Sequence, residues 1–155
     1  MAANPQEVIA AAQVQLKRLN PTAKFRGFPL EEIEAAEALL GASLPPVLRE
    51  FMLRMGDLTG GLFTGSDIAA PSEFVEFQEE AHNLLVGSGS SFRLPAKAVV
   101  FMLHQGYTFQ YVEAGGSQEP PVHQYIEGEP MPTTVAASFE HLIADELRLM
   151  QKNQS

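Results

Sequence analysis

Four histidines, three tyrosines and a set of carboxylates are the side chains best placed to do chemistry in this chain of 155 residues. Cysteine is absent, which removes thiolate zinc sites, thiol nucleophiles and disulfides and fits a reducing compartment. The histidines are His82, His104, His123 and His141. His104 and His123 fall on segments that read as strands of one sheet. With Glu113 or Glu127 they could hold a divalent metal and support hydrolysis. None shows the H-x-H or H-x3-H spacing that sets two imidazoles on one face, and scattered histidines at strand ends are more often surface groups. The expectation is therefore no metal, no cofactor and no catalytic residue.

Tyr107, Tyr111 and Tyr125 invite a different reading. They lie among Glu113, His123, Glu127 and Glu129, in a stretch from Ala98 to Leu147 that has seven carboxylates and neither lysine nor arginine. Tyrosines on a small sheet, bordered by acid, suit a contact surface for a basic protein. The alternative is that the rings pack beneath helices with only their hydroxyls wet. Strand parity leaves both open.

Glu37 is the most informative single carboxylate. It shares a helical stripe with Ile33 and Leu40, so its charge points toward the apolar side. An ionised group there needs partners: it could be a general base, or it could accept free backbone amides at the start of the next helix. Pro45 and Pro46 have no N–H, which leaves Val47 and Leu48 as the expected donors. The glycine-rich GSGSS at 87–91 is followed by no Lys-Ser/Thr and opens no helix, so it is not a phosphate loop.

Bulk properties set the frame. Hydrophobic residues make up 45% and charged residues 19%, a folded composition, and the length suits one domain with its own core. The net charge is −9, a sign that repels phosphate backbones and anionic lipid and attracts basic proteins. The opening MAANPQEVIAA lacks the basic and long apolar regions of a secretory signal, and the apolar run Ala98–Leu103 is too short to cross a bilayer. Cytosol is the expected location.

The elements that must position these groups are legible. Asn4-Pro5 opens a helix with Ile9, Ala12, Leu16 and Leu19 inward, and Asn20-Pro21 stops it. A second helix starts near Pro29, with Leu30, Ile33 and Leu40 on one face, and Gly41 is its left-handed cap. Pro45-Pro46 starts a third, with Leu48, Phe51, Met52 and Met55 at helical spacing and Gly56 at its end. A short strand is expected around 62–68, then a helix from Pro71 carrying Phe74, Phe77, Ala81 and Leu84. AVVFMLHQ reads as a central strand, apolar on both faces; TFQYVEA and VHQYIE complete an antiparallel meander of 3–5 strands. A last helix follows Ser138, packed through Phe139, Leu142, Ile143, Leu147 and Met150, with 151–155 fraying. Helices, a small antiparallel sheet, then a helix is an α+β order.

The run from Leu30 to Gly56 resembles the opening of the SUKH superfamily, which groups fungal cell-wall-assembly regulators with bacterial toxin-immunity proteins. The matching residues are Ile33, Glu37, Leu40, Gly41, Leu44, Pro45, Leu48, Phe51 and Gly56, in the pattern I-x3-E-x2-L-G-x2-L-P-x2-L-x2-F-x4-G. The resemblance covers residues 28–150 as a single domain and leaves the N-terminal helix and connector, 1–27, outside it. It implies a compact α+β domain without enzymatic activity, with no catalytic set to carry over. The superfamily's bacterial members commonly bind and neutralise a cognate toxin, often a nuclease or deaminase; joined to the acidic charge, this makes the expectation an immunity protein that occludes a basic toxin. The alternatives are a regulatory scaffold that binds several intracellular proteins, and the metal-dependent hydrolase built on His104 and His123. Neither nucleic acid nor membrane is an expected partner.

Overall fold

The computed structural model describes residues 4–154. Helix α1, Pro5–Leu19, begins where expected, with the Asn4 side chain accepting the Glu7 amide at 3.2 Å. A two-residue strand β1, Phe25–Arg26, leads to α2, Leu30–Leu40, and α3, Pro46–Met55. Strands β2, Leu58–Thr59, and β3, Asp67–Ile68, replace the single strand expected over 62–68. The chain between them turns through left-handed residues and cannot extend. A 3-10 turn at Pro71–Glu73 feeds α4, Phe74–Gly87. Then come β4, Ala98–His104; β5, Thr108–Glu113; β6, Val122–Ile126; β7, Thr133–Ala136; and α5, Phe139–Gln154. Within the tail expected to fray, α5 continues from Gln151 to Gln154 and Ser155 lies outside the described residues.

Strands β3 to β7 form one antiparallel meander in chain order, and β1 pairs with β2 beside it. This is the α+β fold that the element order predicts. Strand β7 adds an edge the pattern did not show, because only Ala136 of its four residues is buried. Exposed edge strands carry little hydrophobic signal.

The sheet is covered on both faces. Helices α1, α3 and α5 bury Ile9, Leu16, Leu48, Phe51, Met52, Phe139 and Ile143 against Val99, Phe101, Val112 and Val122. Helix α4 buries Phe77, Ala81 and Leu85 against Ala98, Val100, Phe109, Tyr111 and Tyr125 on the other face. Leu85 takes the inward position expected of Leu84, which is only half-buried. On α2 the buried positions are Ile33 and Ala36, while Leu30 is exposed. The first core centres on an aromatic cluster in which Phe139 meets Phe51 at 5.2 Å and Phe101 at 5.3 Å, both edge-on. Such pairs add about 0.5–1.5 kcal/mol each beyond their burial. Helix α1 supplies Ile9, Ala12 and Leu16 to that core, so it packs with α3, α5 and the sheet.

Two glycines of the motif do different jobs. Gly41 takes φ 75 and caps α2, with its amide on the Glu37 carbonyl. Gly56 is right-handed, at φ −69, and is required by space instead. A Cβ there would sit 2.9 Å from the Met52 Cα and from the Phe28 ring.

Candidate partner-binding face

Glu37 is an acceptor inside the α2–α3 turn, but its donors differ from those expected. Its Oε2 accepts the Leu44 amide at 2.8 Å and the Arg49 Nε at 3.0 Å, while Arg49 Nη2 donates to Oε1 at 3.2 Å. Val47 donates instead to Glu119 Oε2, at 3.2 Å, a residue 72 positions away. The Glu37 bond raises the Arg49 pKa against the opposing effect of burial. Burial pushes the Glu119 carboxyl upward, the Val47 bond opposes this, and nearby Glu140 adds to it. Nothing about Glu37 resembles a base waiting for substrate. It ties α3 to α2.

The tyrosine surface divides. Tyr125 and Tyr111 are 0% and 4% exposed, packed under α4 with Phe109, so their rings are withdrawn from any partner. This corrects the surface reading for both. Tyr125 can be buried because its hydroxyl donates to the Glu129 carbonyl at 2.8 Å. Burial and then the Glu113 charge raise the Tyr111 pKa. Tyr107 is 40% exposed, at the β4–β5 turn, and its carbonyl accepts a hydrogen bond from the Glu127 backbone N–H at 2.8 Å. Glu129 lies just beyond, while Glu113 and His123 sit at the opposite end of the sheet.

The same register separates the histidines. His104 stands opposite Thr108, and His123 stands opposite Tyr111. Their Nδ1 atoms are engaged apart, His104 with the Ser66 hydroxyl at 2.9 Å and His123 with the Thr134 hydroxyl at 3.2 Å. Among the described residues no three His, Asp or Glu groups could hold a metal ion. The register does not bring together the two histidines on which the hydrolase alternative was built.

The structure instead builds a face around the loop 60–66. Gly60, Gly61 and Gly65 are left-handed, and so is Phe63, at φ 60. A non-glycine residue held there costs on the order of 1–3 kcal/mol. Phe63 is kept in place because its ring is buried against Phe51 and Phe139. The Thr59 and Thr64 hydroxyls brace the loop by donating to the Leu62 and Gly61 carbonyls, each at 2.7 Å.

Two depressions flank that loop and share Phe63, Thr64 and Ser66 as a wall. One, of about 570 Å3, runs between the loop and the start of α4 and gathers Asp57, Asp67, Glu73, Glu76 and Glu80 over an apolar floor that includes Leu62 and Phe77. The other, of about 300 Å3, lies between the sheet and α5 and contains Gln110, Gln124 and Glu146 with Tyr107 at its rim. Among the described residues, neither is lined by lysine or arginine. Asp57 pairs with Arg26 at 2.6 Å, and Glu73 accepts the Ala70 amide at 2.8 Å. Asp67, Glu76, Glu80 and Glu146 form no ion pair among the described residues. Opposite the buried Phe77 and Ala81, Glu76 and Glu80 lie on the exposed side of α4. That Asp57 and Asp67 face them needed the tertiary fold.

No described helix is long and apolar enough to cross a membrane. The SUKH_6 family model, described as SMI1-KNR4 cell-wall, matches residues 30–143. No curated relative matches the chain.

Proposed function

Because the chain belongs to the SMI1-KNR4 family of the SUKH superfamily, we propose that it is a non-enzymatic protein-binding domain of the immunity type, working in the cytosol. Its partner is a basic protein, a toxin whose active site or substrate surface it occludes. The observation that carries this reading is the lining on either side of the 60–66 loop, five carboxylates in the larger depression and Glu146 in the smaller, with no lysine or arginine among the described residues there. Tyr107, Glu127 and Glu129 border the same end of the sheet and extend the face.

Unpaired carboxylates raise the local concentration of a basic partner and speed encounter, and the apolar floor supplies contact once water leaves. Binding at nanomolar strength, on the order of −12 kcal/mol, is the scale that inhibition by occlusion requires. The test pairs the chain with the product of the adjacent reading frame. Co-expression should abolish that product's toxicity, and the on-rate should fall as salt rises. Reversing two charges, Glu76→Lys with Glu80→Lys, should cut the on-rate at least tenfold and leave the fold intact. Full toxicity in the presence of the chain, or an on-rate indifferent to those reversals, overturns the reading.

A further inference from the structure

We propose that the smaller cleft is a receptor for an arginine side chain of the partner, an inference that rests on the protein-binding reading above and specifies its anchor. Three features of the cleft converge on that chemistry. The first is an acceptor without a donor. Gln110 points away from Phe109 and Tyr111 to the opposite sheet face and is only 8% exposed. Its Nε2 donates to Gln124 Oε1 at 2.9 Å, and its own Oε1 is buried with no hydrogen-bond partner among the described residues. A buried acceptor left unpaired is costly, and the group that satisfies it must donate.

The second feature is charge. Glu146 of α5 lines the same cleft and, among the described residues, has no ion pair and meets no lysine or arginine there. An anionic ligand is repelled, and a neutral amide leaves the carboxylate unanswered. The third is the rim. Tyr107 is exposed and held edge-on to His104, with ring centroids 5.9 Å apart, and His104 is in turn fixed by Ser66. A ring presented in this way can take a flat cation on its face.

A guanidinium matches all three. It is planar, always charged, and consists only of donors, five of them in a fork. Turning the Gln110 amide toward the cleft would let one guanidinium edge satisfy its Oε1 while the other reaches Glu146, with the methylene stem against Met102, Ile126 and Leu142. An ammonium is a compact, strongly hydrated charge that spans the two acceptors poorly. At about 300 Å3 the cleft is at the lower end of the size range for small-molecule pockets and suits a single side chain.

The test titrates the full chain with N-acetyl-arginine methylamide, followed by amide and side-chain NMR shifts. Saturable shifts at Gln110, Gln124 and Tyr107 are expected, with the blocked lysine analogue binding at least fivefold more weakly. Glu146→Gln and Gln110→Leu should each weaken the arginine probe at least fivefold. Glu146→Gln lies on a helix surface, so it remains decisive even if the buried substitution disturbs folding. Unsaturable shifts, shifts spread equally over the α4 acids, or indifference to Glu146→Gln would overturn the proposal. So would free L-arginine binding more than tenfold tighter than the blocked form, since the cleft would then serve a metabolite. The probe needs no partner protein, so this assay and the toxicity assay fail independently.

Discussion

The turn between α2 and α3 and the loop between β2 and β3 treat charge in opposite ways. In the turn, Glu37 accepts one backbone amide and the Nε and Nη2 donors of Arg49. In the loop, Phe63 is held left-handed, and the carboxylates on either side include four with no ion pair among the described residues. A region whose polar groups are answered from within contributes rigidity. A region that keeps acceptors unanswered and a backbone residue strained retains capacity for something outside the chain. The family motif lies in the first region and the proposed working face in the second.

The comparison breaks most visibly at the core that supports both. Phe51 belongs to α3, is fully buried, and touches Phe63 of the loop and Phe139 of α5. Phe51→Ala should cost about 3–5 kcal/mol, read as a lower urea midpoint at unchanged slope. A loss under about 1.5 kcal/mol would mean the two regions do not share a foundation.

A smaller effect separates them directly. Glu37→Gln keeps an acceptor for Leu44 but removes the charge from Arg49, and should cost about 1–3 kcal/mol. Glu76→Lys on the exposed face of α4 should change stability by less than about 0.5 kcal/mol. Equal losses from the two changes in parallel urea melts would erase the distinction between answered and unanswered charge.

Glu119 gives the subtlest test, because it sits with the answered group yet has one buried oxygen, Oε1, without a partner. Its carboxyl titrates above the ordinary glutamate range in the fold, chiefly through burial. Folding therefore favours the protonated form, and stability falls as pH rises through the window just above that range. Glu119→Gln removes this loss. Wild type and variant should melt together in acid, and the variant should melt higher as pH approaches neutrality. If wild type gains on the variant instead, the charged bond to Val47 outweighs burial.

The sequence by itself determined the helices and their ends, since the capping side chain of Asn4, the prolines and Gly41 act through local backbone geometry. It also carried the central strands, because a strand covered on both faces is apolar at every position, and the motif that marks the family. Glu37 was legible as an acceptor for the same reason: a carboxylate on an apolar stripe must be satisfied. Its donors were not, since the choice among Leu44, Val47 and Arg49 depends on how α3 is set against α2.

Only tertiary structure decided the rest. Whether Tyr111 and Tyr125 faced a partner or the core depended on α4 covering their side of the sheet, which parity along a strand cannot reveal. The separation of His104 from His123 is a matter of register, and Glu119 reaches α3 from 72 residues away. The acidic face is of the same kind. Asp57, Asp67, Glu76 and Glu80 become one surface because the 60–66 loop turns the chain back, and Phe63 holds that turn through contacts with Phe51 and Phe139. Local physics set what each segment could be; packing between distant segments set which charges met.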